Sequence, residues 1–385
     1  MAAYGVKWHS DQTSPTLDRL ESNVGLTAGA SFNALSPWTM RRCNLWTDGT
    51  PTAYYGDRCY TDTDVTNMGQ CMVQIPKFWY AVDSSLANHV AFYISDTATP
   101  SPAIRNLANT ADLTFAVHPA FIVDTIAHDY AYISAYEVYY DGVSKLQSRG
   151  GVTPTTASSA SYTISLMRAA AGAIGSGWHL STVQAYSASL LLFIVEYASL
   201  NAQAVLGNGN GDTGGAIINT GTTTGYGNAS YGATARNVAM SYRGIENLWG
   251  NVWTLLDGIN LKADHMPWMK AQSNTAPYAC DQFDGAGGTY KYIDTGLTIP
   301  AAGGNYTVQS VFLTGADWAL IPNVAGANTS QYFCDSLVTA TGNRTVFRGG
   351  CYSQSYTMNG PFAWQPQASS LNNNAAYGYR LQYMP

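Results

Sequence analysis

The stretch 351–377, CYSQSYTMNGPFAWQPQASSLNNNAAY, is rich in aromatic and amide side chains and contains no Asp, Glu, Lys or Arg. With no acid or base along its length, its chemistry suits non-covalent recognition. Tyr and Trp supply rigid amphipathic area, and Ser, Asn and Gly supply adaptable hydrogen bonds. Elsewhere the groups that usually do covalent or metal chemistry are dispersed. His9, His89, His118, His128, His179 and His265 include no pair at i, i+3 or i, i+4 spacing, so each reads as structural or solvent-facing. Cys43, Cys59, Cys71, Cys280, Cys334 and Cys351 form no C-x-x-C pair. Buried thiols are expected, one or two disulfides stay open, and neither a zinc site nor a disulfide-dense scaffold is indicated. Asp257, Asp281 and Asp284 belong to no legible Ser/His/Asp arrangement, and no Gly-rich loop has phosphate-cradle spacing. Asp281 and Asp284 read as solvated loop acids before they read as calcium ligands. No cofactor and no metal are expected.

The bulk composition points the same way. Of 385 residues, 11% are charged, 46% are hydrophobic and 27 are Tyr, so the surface must be built largely from Ser, Thr, Asn, Gly and Tyr. A net charge of -6 without any Lys/Arg run removes the electrostatic footprint that phosphate-backbone binding needs. Nucleic acid is excluded as a partner on that ground. No window holds the roughly 18 consecutive apolar residues of a membrane span, and Met1 to Ser10 lacks the charged and apolar regions of a signal peptide. A soluble chain, made in the cytoplasm without export, is expected.

The elements that must position the uncharged segment are unevenly legible. Ser14 as cap, Pro15 at the first position, Leu17, Leu20 and Val24 on one face and Gly25 as terminator predict a helix. Residues 1–70 read as a small N-terminal module, with 71–385 as the main domain. In that domain Ser181 and Gln184 form a capping box for a long helix whose stripe is Tyr186, Leu190, Ile194 and Tyr197. A shorter helix precedes it near 165–173. From Gly207 onward Gly, Asn, Thr and Ser predict loops and short strands with few regular elements. Gly250 and Asn251 suit a tight turn where positive φ is cheap, placing Trp249 and Trp253 in the core. The fold class expected is α+β, loop-rich, with short strands and two main helices.

Three segments then occur in a telling order: Gly177-Trp-His-Leu-Ser-Thr182, Gly244-Ile-Glu-Asn-Leu-Trp-Gly-Asn-Val-Trp253, and Phe347-Arg-Gly-Gly350 with Gly378-Tyr-Arg-Leu381. They resemble the signatures of C-type lectin domains of the formylglycine-generating-enzyme type, and Met72-Val-Gln-Ile-Pro76 and 131–137 resemble that family's first strands. The resemblance spans roughly 71–385. Its oxidase branch implies two copper-binding cysteines four and nine residues beyond the Arg-Gly-Gly motif, where this chain has Gln354 and Asn359. A metal-dependent oxidase with altered ligands is therefore the alternative reading only.

The binding branch fits better. In the variable proteins of diversity-generating retroelements, which share this lectin fold, the segment bracketed by these motifs carries the ligand site. Here that region is 348–381. The resemblance implies a ligand face of Tyr352, Gln354, Tyr356, Asn359, Phe362, Trp364, Gln365 and Gln367. Gln354, Met358, Trp364 and Gln365 cannot arise from a rewritten AAC codon, so those positions are fixed or templated otherwise. Segments near the start, including Tyr4-Gly-Val-Lys-Trp8 and Ile75-Pro-Lys-Phe-Trp-Tyr80, resemble the openings of phage and prophage tail proteins. Together these imply a non-enzymatic receptor-binding protein on a virion or extracellular surface, whose ligand is a protein or other macromolecule of a host surface. A homo-oligomer on the virion is compatible with it.

Overall fold

The computed structural model describes residues 2–158, 162–301, 306–328, 330–355, 358–368 and 374–385. It is mostly sheet, with many loops and few helices, and among the described residues no sheet closes into a barrel. A five-stranded antiparallel sheet runs in the order Asp18–Glu21, Ala3–His9, His89–Ser95, Trp79–Asp83 and Ala116–Val117. A six-stranded sheet runs Trp178–Leu180, Leu381–Tyr383, Tyr130–Ser134, Gln70–Pro76, Arg41–Leu45 and Pro51–Tyr54.

Both sheets cross the boundary expected near residue 70. Ala3–His9 pairs along its length with His89–Ser95, and Arg41–Leu45 pairs with Gln70–Pro76. Trp8, Leu17, Phe32 and Trp38 lie in one apolar cluster with the long helix and with Phe333 and Trp364. The N-terminal 70 residues thus share sheets and core with the rest of the chain. The helix expected from Ser14 to Gly25 is absent: Asp18–Glu21 is a strand paired with Tyr4 to Lys7, and Val24 is exposed. Tertiary contacts outweigh helix propensity there. Arg19, extended on that strand, donates from Nη1 and Nη2 to the carbonyls of Val195 and Glu196 at 3.2 and 2.6 Å, satisfying acceptors in the last turn of the long helix.

That helix is Val183–Tyr197, preceded by Ile164–Gly172. Its cap is Thr182, one residue later than expected, whose hydroxyl accepts from the Ala185 N–H. The expected single stripe is an underestimate, because every residue from Val183 to Glu196 is buried, as in a helix enclosed on all sides. Enclosure brings Glu196 into the interior, where Arg243 donates to it at 2.6 and 2.7 Å and the Tyr242 hydroxyl at 3.0 Å.

The C-terminal half is more regular than its composition suggests. A ten-stranded sheet follows the order Thr156–Ala157, Asn374–Gly378, Trp253–Leu261, Arg344–Arg348, Trp364–Ala368, Ser336–Leu337, Tyr306–Val311 and Pro322–Ala327. Pro267–Lys270 and Tyr292–Asp294 branch from Trp253–Leu261. Composition hid this because most of the strands are short and many pairings join chain far apart in sequence, as Thr156–Ala157 with Asn374–Gly378 and Trp253–Leu261 with Arg344–Arg348 do. Among the described residues no helix is long and apolar enough to cross a membrane.

Candidate functional site

The Gly250-Asn251 turn has the geometry its residues favour, with φ of 82° and 61°. A Cβ on Gly250 would meet the Asn210 backbone at 2.8 Å, so the close approach also requires glycine. Trp249 and Trp253 are buried on either side, and the Trp249 indole N–H donates to Gly207 O at 3.0 Å. Asn247 and Asn251 donate to the buried Glu137 carboxyl, which desolvation pushes up to about 7. The C-terminal bracket is tied to the same turn, since the fully buried Arg380 donates to the carbonyls of Ser134, Glu246 and Asn247.

The other bracket begins with Arg348, also without exposed surface, which donates to Ala319 O and Leu320 O at 3.2 and 2.6 Å and lies 4.2 Å from the Trp364 ring centre. Beyond it the chain turns through Gly349 and Gly350, both at positive φ. Asn359 clamps this turn. Its Oδ1 accepts from the Cys351 N–H at 3.1 Å and its Nδ2 donates to Cys351 O at 2.9 Å. Asp335 holds the next stretch by accepting from the Phe362 N–H at 2.8 Å and from Gln203 Nε2 at 2.7 Å.

These contacts sort the eight expected ligand residues. Asn359, Phe362 and Trp364 are buried, the first as a turn clamp and the others in the apolar core with Phe333 and Leu337. Tyr352, Gln354, Gln365 and Gln367 are partly exposed. Tyr356 lies outside the described residues. The physical reason for the split is the pleat of Trp364–Ala368: side chains alternate between faces, so Trp364 and Pro366 turn inward while Gln365 and Gln367 turn outward. That alternation is the sequence signal that separates core from surface in W-Q-P-Q.

Of these, Gln354, Gln365 and Gln367 meet in a cleft of about 320 Å³, and Tyr352 lies outside its lining. Every lining residue except Trp253 and Val338 comes from 351–377, and none is charged. Gln365 Nε2 donates to Gln367 Oε1 at 3.0 Å and to the Tyr377 hydroxyl at 3.2 Å, leaving the buried Gln365 Oε1 as an unpartnered acceptor. Gln354 is held by its Nε2 donating to Ser336 Oγ at 3.0 Å. Tyr377 stacks on Phe347 with ring centres 4.2 Å apart. Cys351, Ser353, Asn374, Ala376 and Tyr377 complete the lining from within the bracketed region, and Trp253 and Val338 join only through the tertiary fold.

Elsewhere, five cysteines are buried, Cys59 is exposed and all six are free. Among the described residues no group of three His, Cys, Asp or Glu side chains gathers as a metal site. Two histidines that are far apart in sequence do meet: His9 and His89 are directly opposed on paired strands, with ring centres 4.7 Å apart. Asp284 is committed to its own loop, accepting from the Tyr290 and Tyr292 N–H groups.

The anchoring of the site has a pH signature. Burial pushes the Asp335 carboxyl up to about 8, so the folded state holds its proton more tightly than the unfolded chain does. Its stabilising contribution is complete below the unfolded value near 3.8 and is lost as pH rises through about 8. Glu137 acts in the same direction up to about 7. His118 and His179, pushed down by burial to about 3 and about 4, lose their contribution as pH falls below 6.5, outside this window. Between pH 6.5 and 8 the Asp335→Asn variant should therefore lose less melting temperature than the parent. Parallel melting curves across that range would show that the carboxyl is ionised throughout.

No protein-family model and no curated protein matches the sequence. Among solved structures, the Major Tropism Determinant U1 variant aligns at 14% identity and a TM-score of 0.32, covering 95% of this chain and 75% of its own. The M1 variant aligns at 13% and 0.32, and the P3c variant at 12% and 0.27, with the same coverage.

Proposed function

We propose that this chain is a non-enzymatic receptor-binding protein of a virus or prophage, built on a C-type lectin scaffold of the formylglycine-generating-enzyme type. In this reading its uncharged cleft contacts a macromolecular ligand on a host surface. The observation that carries the proposal is the origin of the cleft: one bracketed segment supplies nearly all of its lining, with no charge, on a backbone anchored by Arg348, Asp335, Asn359 and Arg380. Such an arrangement separates a replaceable surface from a fixed support. Rigid support lowers the ordering cost of binding, and Tyr and Gln side chains on it supply amphipathic area and amide hydrogen bonds. The segment's resemblance to the variable regions of lectin-fold variable proteins supports the further reading that it is diversified by a retroelement.

Labelled protein should stain cells of a susceptible strain within a bacterial panel. The combined variant Tyr352→Ala, Gln354→Ala, Gln365→Ala and Gln367→Ala should stain them at least tenfold more weakly while melting within a few degrees of the parent, since truncated interface anchors commonly cost roughly 2 kcal/mol or more. With no charge in the cleft, staining should change little between low and high salt. Undiminished staining by the variant would move the site elsewhere. The retroelement is tested separately, by a nearby reverse-transcriptase gene and a near-copy of the 348–381 coding region differing chiefly at adenines.

A further inference from the structure

His9 closes the strand Ala3–His9, and His89 opens the strand His89–Ser95 directly opposite it. The next pair along carries a ladder bond, from the Ser10 N–H to Asn88 O at 2.9 Å. Hydrogen-bonded and non-hydrogen-bonded pairs alternate in an antiparallel ladder, so His9 and His89 form a pair of the second kind, in which side chains approach most closely. Trp8 is buried on the inner face of the sheet, whereas Lys7, His9 and His89 are partly exposed.

Each ring has one nitrogen committed. His9 Nε2 lies 2.7 Å from Asp18 Oδ2, and this hydrogen bond holds the Asp18 carboxyl below its ordinary value. An ionised carboxylate can only accept, so His9 Nε2 carries the hydrogen. His89 Nδ1 lies 2.8 Å from Ala87 O, which likewise can only accept. In the neutral rings the lone pairs therefore remain on His9 Nδ1 and His89 Nε2. Among the described residues neither of these nitrogens has a hydrogen-bond partner. An imidazole whose other N–H is held by a carboxylate or a backbone carbonyl is the usual form of a metal-ligating histidine. The spacing agrees: with metal–nitrogen bonds of about 2.0–2.1 Å, two imidazoles on one ion have ring centres roughly 4.5–5.3 Å apart, and here they are 4.7 Å apart. Lys7 Nζ, 3.3 Å from the same Asp18 oxygen, is a repulsive charge that this carboxylate offsets.

We propose that His9 Nδ1 and His89 Nε2 together bind one divalent transition cation of the zinc, nickel or copper kind, the ions that imidazole suits. Water completes the coordination, and the ion joins two neighbouring strands of the five-stranded sheet. Zinc is the probe, added to the untagged full chain carrying Cys59→Ser, which removes the exposed thiol. In long-range 1H–15N spectra of the histidine rings, zinc should move His9 Nδ1 and His89 Nε2 saturably and in parallel. His9→Ala and His89→Ala should each weaken zinc binding by about tenfold or more, and Asp18→Asn, which loosens the held ring, should weaken it by about tenfold. Calcium, which takes oxygen ligands, should move neither nitrogen. Zinc should also raise the melting temperature of the parent more than that of either histidine variant, because an ion bound only by the folded chain stabilises it. The proposal is overturned if either histidine variant binds zinc as tightly as the parent, or if zinc moves the nitrogens of only one of the two rings. Should an alanine variant fail to fold, His9→Gln and His89→Gln, which keep the bulk of the side chain, replace it, and the ring spectra of the parent decide independently. The fourfold cleft variant should bind zinc unchanged, so the result is independent of the receptor-binding reading.

Discussion

Trp364→Ala should destabilise the fold by about 3–5 kcal/mol, as much as Trp249→Ala, although Trp364 lies in the segment that otherwise supplies the cleft. The indole has no exposed surface, pairs through its backbone with both Arg348 and Leu337, and lies under the Arg348 guanidinium. Truncation removes a large buried side chain and also the ring that faces a buried cation, so relaxation can recover little. Gln365→Ala, one residue on and facing outward, should stay within about 0.5–1.5 kcal/mol of the parent, the usual worth of a hydrogen bond. Chemical denaturation of Trp364→Ala, Trp249→Ala and Gln365→Ala decides this. If Trp364→Ala unfolds at the same denaturant concentration as Gln365→Ala, the inward placement is wrong and Trp364 returns to the ligand face.

Arg243→Ala should cost about 3–5 kcal/mol for a different reason. Glu196 is fully buried on the enclosed helix and receives two charge-assisted hydrogen bonds from Arg243, which also donates to Trp38 O at 3.0 Å. Removing the guanidinium leaves a buried carboxylate with the Tyr242 hydroxyl and the Gly29 N–H as its remaining donors. The attraction is only part of the loss, because the desolvation of Glu196 is then uncompensated. The double variant Arg243→Leu with Glu196→Met should recover a large fraction, since buried pairs exchanged for apolar groups of similar volume are often neutral. A double-mutant cycle measures the coupling. Additive losses would mean that Glu196 is solvated and the helix less enclosed than its burial indicates.

How much was legible divides along a physical line. Local chemistry was readable: a cap-and-pattern start for the long helix within one residue, the positive-φ turn at Gly250 and Asn251, and the burial of Trp249 and Trp253 all follow from what neighbouring residues do to one another. The uncharged character of 351–377 was equally plain. The helix expected between Ser14 and Gly25 failed because pairing with Ala3–His9 and the reach of Arg19 to the long helix outweigh a propensity of a few tenths of a kcal/mol per residue.

What the chain alone determined is which segment is chemically suited to recognition, because composition is a property of residues. Which of its side chains can be reached is a property of strand pairing. Only the tertiary structure turned Trp364, Phe362 and Asn359 inward, brought Trp253 and Val338 to the cleft and set His9 against His89. Strand partners far apart in sequence impose a two-residue alternation and a register that the local pattern cannot specify, and a one-residue shift would exchange every inward side chain for an outward one.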